Sequence, residues 1–188
     1  MLKTSVLKAS VLKTVVGKTL GWGVIVLMLS TSQGLAHEES DANALPLPQG
    51  PVILTITGAL DRANVGDEAH FDRAMLKALP QHDIRTDTPW TDQAHDYRGP
   101  LMRELLAHVG AQSEHVFVAA LNGYDVQIPT DDFVAYDVLL AMESDGKPMP
   151  IREYGPLWVL YPFDYHNELL SEKMRFRAVW QVMRIDVL

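Results

Sequence analysis

The chain has 188 residues, with 16 Lys and Arg against 24 Asp and Glu, 47% hydrophobic residues and no cysteine. This length fits one domain with a short appendage, and the composition is that of a globular protein rather than a disordered one. Because cysteine is absent, the chain has no disulfide, no thiolate metal ligand and no cysteine nucleophile.

The first 36 residues have the pattern of a secretory signal peptide. An apolar run covers residues 20–29, which is too short to span a bilayer, and Gly34-Leu35-Ala36 offers a small-residue cleavage site. The charged residues before it are four lysines: Lys3, Lys8, Lys13 and Lys18. There is no Arg-Arg pair and no lipobox cysteine, which favours general secretory export to the periplasm with cleavage after Ala36. An uncleaved N-terminal anchor is the alternative.

Cleavage after Ala36 would leave 152 residues with 12 Lys and Arg and 24 Asp and Glu, a net charge of −12. A surface this acidic repels nucleic-acid phosphates and anionic lipid headgroups, so binding to nucleic acid or to a membrane surface is disfavoured. Residues 37–51 are polar and then rich in Pro and Gly, which predicts a tail that leads into one domain over residues 52–188.

Strands dominate the elements predicted for this domain. Residues 52–57 are β-branched and alternate, as in a strand, whereas residues 68–79 repeat apolar side chains with helix spacing. The predicted elements are a strand 52–57, a helix 68–79, a strand 82–86, a polar loop 91–98, a helix 101–109, strands 115–120 and 124–128 joined by an Asn122-Gly123 turn, a strand 138–142, a turn 144–148, and strands 157–161 and 178–187. Because helices and strands do not alternate regularly, the pattern favours an α+β domain with a largely antiparallel core over a doubly wound nucleotide-binding fold.

The usual catalytic motifs are missing from the mature sequence. It contains no G-x-S-x-G or S-x-x-K serine, no H-E-x-x-H pair and no glycine-rich phosphate loop. The sequence therefore does not support a hydrolase, an NTPase or a nucleotide-dependent dehydrogenase, and it shows no set of three convergent metal ligands.

Three segments combine polar and aromatic residues as a binding site does: 86–90 (TDTPW), 120–129 (ALNGYDVQIP) and 152–158 (REYGPLW). They resemble the sulfite-oxidase-like molybdopterin-binding fold. Tyr124-x-x-Gln-Ile-Pro is similar to the Y-x-x-S-I-P of that family, and Gly155-Pro156 to its H-G-x-P. Leu140-Ala141, followed by DGKPMP at 145–150, is similar to its L-L-A-Y…N-G-E-P-L-P. The resemblance covers the chain from about residue 52 to the C terminus and implies the same single mixed α+β domain.

The chain departs from the molybdenum enzymes of that family at the metal. Their metal-binding cysteine lies on the loop after the strand that corresponds to 82–86, and here that loop reads Thr-Asp-Thr-Pro-Trp. Trp158 replaces an arginine that often follows the G-x-P, and the usual twin-arginine export signal is absent. The chain is similar to a cysteine-less periplasmic subgroup, which binds a free reduced pterin without molybdenum. Members of the subgroup dock on the periplasmic domain of a membrane-bound diguanylate cyclase/phosphodiesterase and alter cyclic-di-GMP signalling.

A site for a flat pterin ring needs an aromatic side chain that stacks on the ring, a hydrogen-bond acceptor for its amino group and a donor for its oxo group. We assign stacking to Trp90 and Tyr124, and bonds to the ligand's side chain to Thr86 and Thr88. The full set of predicted site residues is Thr86, Asp87, Thr88, Trp90, Asn122, Tyr124, Arg152, Glu153 and Tyr154, with Asp87 or Glu153 accepting and Arg152 and Asn122 donating.

Each of these residues also has a purely structural interpretation. Trp90 would pack in the core, Tyr124 would close a hairpin, Asp87 would cap a turn, and Arg152 and Glu153 would form a solvated pair. Trp158 and Tyr161 lie in an apolar run and are predicted to be core.

Two other classes of function stay open beside the non-catalytic pterin sensor. One is a molybdopterin-dependent oxidoreductase of the same fold whose metal is held without cysteine. The other is an adaptor that docks through its acidic surface and binds no ligand. For the sensor, the polar segment 87–98, with Asp92 and Asp96, is predicted to offer the docking surface.

Overall fold

The computed structural model describes residues 44–188, which form short strands with short helices inserted between them. The predicted signal peptide and residues 37–43 of the predicted tail lie outside these residues. The elements are β1 (Val52–Gly58), β2 (Ala69–Asp72), α1 (Arg73–Ala78), β3 (His82–Thr86), β4 (His95–Gly99), α2 (Met102–His108), β5 (His115–Ala120), β6 (Asp125–Pro129), α3 (Thr130–Ala135), β7 (Leu139–Ala141), β8 (Glu143–Ser144), β9 (Lys147–Pro148), β10 (Trp158–Leu160), a 3₁₀ helix (Asn167–Leu170), α4 (Glu172–Arg177) and β11 (Val182–Val187). Within residues 44–188, no helix has the length and apolar character needed to cross a membrane.

The strands form three sheets. The largest has the order β2-β1-β11-β5-β6, and within it β1 and β11 run parallel while the other neighbours are antiparallel. A second sheet pairs β10 with β7, and a third has the order β3-β4-β8-β9; both are antiparallel. This confirms the predicted α+β class with a largely antiparallel core.

Alternation along the strands of the largest sheet determines which side chains enter the core. Leu54 and Ile56 of β1 are fully buried, and Val116 and Val118 of β5 are buried in the same apolar cluster. Their neighbours along β1, Ile53, Thr55 and Thr57, stay half-buried. The sheet therefore has one buried and one partly solvated face, which is common for antiparallel sheets.

The predicted helix over 68–79 is wrong in its first half. Residues 69–72 form β2, which pairs with β1, and α1 begins only at Arg73. The carboxylate of Asp72 accepts a hydrogen bond from the Met75 N–H at 2.9 Å, which is the bond of an N-cap residue. Phe71 has helix spacing relative to Met75, but it is buried as a strand residue.

The predicted polar loop over 91–98 is also wrong in part, because β4 occupies 95–99. Its Tyr97 faces Ile84 of β3 and both are buried, whereas Asp96 and Arg98 lie on the solvent face. There Asp96 pairs with Arg85 at 2.8 Å. Residues 95–99 are mostly polar in composition, but buried and exposed side chains alternate along them as in any half-buried strand.

The remaining predicted strands and the helix over 101–109 are confirmed to within a few residues, apart from the start of the last strand. It begins at Val182, because residues 178–181 lead out of α4 and Gln181 adopts a left-handed conformation with φ of 56°. The sequence predicted neither α3 nor α4.

The segment before β1 contacts the sheet. Leu45 is 4% exposed and belongs to the core cluster. The main-chain N–H groups of Gln49 and Gly50 donate to the Asp72 carboxylate at 2.8 and 2.7 Å. Gln49 and Gly50 are thus held at the end of β2 that leads into α1.

Candidate functional site

A tight turn follows β3 and carries several of the predicted site residues. The Asp87 carboxylate accepts bonds from the Thr88 N–H at 2.8 Å and from the Thr91 hydroxyl at 3.3 Å. The hydroxyls of Thr88 and Thr91 lie 2.9 Å apart. Asp87 therefore caps the turn, as its structural interpretation predicted, and the turn holds Trp90 at a defined position.

Trp90 packs into a cluster of aromatic rings. Its ring centroid lies 5.3 Å from that of Trp180, 5.7 Å from Phe163 and 5.9 Å from Trp158. Tyr154 stacks on Trp158 at 4.6 Å and donates its hydroxyl proton to the Trp90 carbonyl at 2.7 Å. Trp158 is fully buried, which confirms its assignment to the core, whereas Trp90 stays half-buried with part of its surface in a cavity.

This cavity, which we call the Trp90 cavity, has a volume of about 410 Å³. It brings together three of the predicted site residues, Trp90, Asn122 and Tyr124. Side chains that the sequence did not single out complete its wall: Trp180, Phe176, Val179, Glu172 and Arg175. The cavity thus combines aromatic surfaces with one carboxylate and one guanidinium, the groups that orient a flat polar heterocycle.

The hairpin between β5 and β6 forms one wall of the Trp90 cavity. The Asn122 side-chain oxygen accepts a hydrogen bond from the Tyr124 N–H at 3.0 Å, as Asx turns do. The Tyr124 hydroxyl donates to the Phe176 carbonyl at 2.8 Å, so the hairpin is fastened to α4. Partial burial raises the pKa of Tyr124, which keeps its hydroxyl protonated at neutral pH.

A buried triad holds α4, which forms another wall. Arg177 of α4 pairs with Asp132 of α3 at 2.6 Å, and the same carboxylate oxygen accepts a bond from the Tyr161 hydroxyl at 2.9 Å. The side chains of Arg177 and Asp132 are each 12% exposed, and Tyr161 is fully buried. Burial raises the pKa of Tyr161, so the hydroxyl remains a donor.

The other predicted site residues lie outside the Trp90 cavity. Asp87 and Thr88 line an adjoining space of about 330 Å³, the Asp87 cavity, which shares Arg175 with the first. Glu153 and Tyr154 line a third space of about 350 Å³, the Lys147 cavity, which also includes Lys147. The structure therefore distributes the predicted site over three cavities around residues 87–91.

Two predicted residues line none of these three cavities. Thr86 is fully buried, and its hydroxyl donates to the Asp87 carbonyl at 2.8 Å and accepts from the Asp164 N–H at 3.2 Å. Arg152 is exposed. Thr86 thus stabilises the turn through these two hydrogen bonds, and the charge of Arg152 is in contact with solvent.

The donor atoms around this turn do not suit a soft metal. The sequence has no cysteine, and the loop after β3 offers hydroxyls and a carboxylate that are bonded to one another. Among the described residues, no group of three or more His, Cys, Asp or Glu is arranged to hold a metal ion. A molybdenum centre ligated by a protein thiolate does not fit these residues.

The fold and the cavity define a class: an α+β domain with an aromatic, ligand-sized cavity beside the loop after β3. The sequence model of the family described as "Oxidoreductase molybdopterin binding domain" matches residues 54–168, and the chain belongs to this family. The matched region ends before α4, so Arg175, Phe176 and Trp180 of the cavity wall lie outside it.

The chain is similar to one curated relative, "Uncharacterized oxidoreductase YuiH" of Bacillus subtilis (strain 168). The two are 27% identical over 96 residues, which is 48% of each chain. The chain thus aligns with about half the length of this relative.

Proposed function

We propose that this protein binds a free reduced pterin in the Trp90 cavity and acts as a ligand-dependent signalling protein rather than an enzyme. One observation carries the proposal: an aromatic, ligand-sized cavity lies beside the loop after β3, in a chain that belongs to a molybdopterin-binding family and has no cysteine to ligate the metal. The residues suit the flat ring of the family's cofactor and do not suit its metal.

The lining of the Trp90 cavity supports a heterocycle of this kind. Its volume of about 410 Å³ lies within the range of small-molecule pockets, about 300–1,000 Å³. Trp90 and Trp180 offer aromatic surface to the ring. Glu172 would accept from the 2-amino group, and Arg175 would donate to the 4-oxo group. The sequence had assigned the accepting role to Asp87 or Glu153 and the donating role to Arg152 and Asn122.

We further propose that the protein is exported to the periplasm and docks on the periplasmic domain of a membrane-bound diguanylate cyclase/phosphodiesterase. The signal-like N-terminal pattern and the resemblance to the cysteine-less pterin-binding subgroup support this. A ligand biases a partner only if it binds the two states with different affinity. The turn 87–91 contributes to all three cavities, so a ligand in the Trp90 cavity would contact a segment next to the exposed Asp92.

The first test is the protein purified from the periplasm, examined by absorbance, by fluorescence and by metal analysis. A pterin without molybdenum is the expected result. Stoichiometric molybdenum would instead support the oxidoreductase alternative. A protein that carries neither, and that binds no added tetrahydrobiopterin, would support the adaptor.

The second test separates ligand contact from packing at Trp90. Trp90→Ala should weaken binding of tetrahydrobiopterin by about 1–3 kcal/mol, the scale for the loss of one stacking partner. Because Trp90 also packs against three other rings, the variant will be less stable. Phe71→Leu, a core substitution in β2 that lines none of the three cavities, is the matched control and should lower stability without changing affinity. Equal affinity in wild type and Trp90→Ala would exclude Trp90 from the site.

The third test addresses docking. Charge reversal at Asp92 and Asp96 should weaken capture by the periplasmic domain of the cyclase and leave pterin affinity unchanged. Asp96 is exposed on β4 with Arg85 as its partner, so its reversal also removes a surface ion pair. Equal capture of pterin-free and pterin-loaded protein, with equal cyclic-di-GMP output, would reject the sensor role.

A further inference from the structure

Trp90 lines the Trp90 cavity, and Tyr154, which is hydrogen-bonded to Trp90, lines the Lys147 cavity. Thr91 and the strands β4, β8 and β9 supply other parts of its wall. The pterin site proposed above makes no use of this space of about 350 Å³.

Two opposite charges line this cavity without partners. Lys147 of β9 and Glu153 are both exposed, and in the part of the chain that the structure describes neither side chain has a hydrogen bond or an ion pair. The third charged side chain of the wall, Asp145, is already engaged, because it pairs with His95 at 2.7 Å. The cavity therefore presents one free cation and one free carboxylate.

Aromatic and apolar side chains form another part of this wall. Tyr97 is 2% exposed, Met149 is buried, and Tyr154 is half-buried against Trp158. Burial raises the pKa of Tyr97 to about 12, so its hydroxyl stays neutral at physiological pH. A ligand here would meet aromatic and apolar side chains together with one positive and one negative group.

We propose that the Lys147 cavity is a second small-molecule site, and that its ligand is a small zwitterion with an apolar or aromatic side chain, in the manner of a free amino acid. Glu153 would accept hydrogen bonds from the ammonium group and Lys147 would donate to the carboxylate. Tyr97, Tyr154 and Met149 would contact the side chain. This site is separate from the pterin site and does not depend on it.

Three probes with one ring and different charges test this proposal: L-phenylalanine, phenylpropionate and phenylethylamine. Titration calorimetry on the purified protein should give phenylalanine an affinity about tenfold higher than that of either singly charged probe, because only the zwitterion satisfies both charges. Lys147→Gln should weaken phenylalanine and phenylpropionate about fivefold and spare phenylethylamine. Glu153→Gln should weaken phenylalanine and phenylethylamine and spare phenylpropionate.

Lys173→Gln is the matched control, since Lys173 is an exposed lysine of α4 that lines none of the three cavities. It should leave all three affinities unchanged. The proposal is overturned if wild type binds none of the probes at millimolar concentration, or if both cavity variants bind phenylalanine as wild type does. Phenylpropionate binding as tightly as phenylalanine would also reject the zwitterion.

Pterin-loaded protein should bind phenylalanine as well. If tetrahydrobiopterin fails to bind while phenylalanine binds with the expected pattern, the pterin proposal fails and this one stands.

Discussion

Substitution of Asp132 by alanine should destabilise the protein far more than the loss of a surface charge would. The Asp132 carboxylate holds two partners through one oxygen: the Arg177 guanidinium at 2.6 Å and the Tyr161 hydroxyl at 2.9 Å. All three groups are largely removed from water. Removal of the Asp132 carboxylate leaves the Arg177 guanidinium and the Tyr161 hydroxyl without their acceptor, in a region that water hardly reaches.

The magnitude follows from these two losses. Breaking a fully buried ion pair by removing one partner costs about 3–5 kcal/mol. The side chains of Arg177 and Asp132 are each still 12% exposed, so we expect the lower end of this range for Asp132→Ala, about 3 kcal/mol. Tyr161→Phe removes the hydroxyl and leaves the ion pair, and it should cost about 1 kcal/mol. The double variant Asp132→Ala/Tyr161→Phe should lose less stability than the two single variants added together. In the presence of Tyr161→Phe, the loss of Asp132 no longer leaves a buried hydroxyl without an acceptor.

Urea denaturation followed by fluorescence measures these free energies of unfolding. The matched control is Asp83→Ala, which breaks an exposed pair with Arg98 and should cost about 0–1 kcal/mol. A cost below about 1 kcal/mol for Asp132→Ala, equal to that of the control, would refute the reasoning. Because the triad anchors α4, we also expect Asp132→Ala to weaken tetrahydrobiopterin binding, while Asp83→Ala should not.

Three further predictions concern packing, pH and export. Gly99→Ala should cost about 1–3 kcal/mol in a denaturation experiment, because its new Cβ would lie 2.0 Å from the Leu140 carbonyl oxygen; a neutral result would mean that β4 moves freely there. Main-chain N–H groups, that of Met75 foremost, hold the pKa of Asp72 below its usual 3.8. The stability from this charge is present above the unfolded-state pKa and is lost as the pH falls through the folded-state value, so Asp72→Asn should flatten the acid limb of the stability curve. N-terminal sequencing of the periplasmic fraction should begin at His37, and a retained Met1 in the membrane fraction would contradict this.

Several features of this protein follow from local sequence pattern alone. Alternation over 52–57 determined one strand, because a period of two places every second side chain on one face whatever lies across the sheet. Pro100 at the start and Gly110 at the end predicted the helix over 101–109, and the absence of cysteine excluded a thiolate-bound metal without any structure. Trp158 was assignable to the core because it lies inside a continuous apolar run.

Only the tertiary structure decided β4, α4 and the composition of the site. The polar residues 95–99 become a strand because β3 and β8 pair with them on either side. This pairing cannot be read from the sequence of residues 95–99 alone. The helix α4 has six residues, fewer than two turns, so its sequence lacks a readable periodicity, and its position depends on the buried bond from Arg177 to Asp132. Segments distant in sequence therefore build the Trp90 cavity, and Trp90 and Arg175 line it together only in the folded chain.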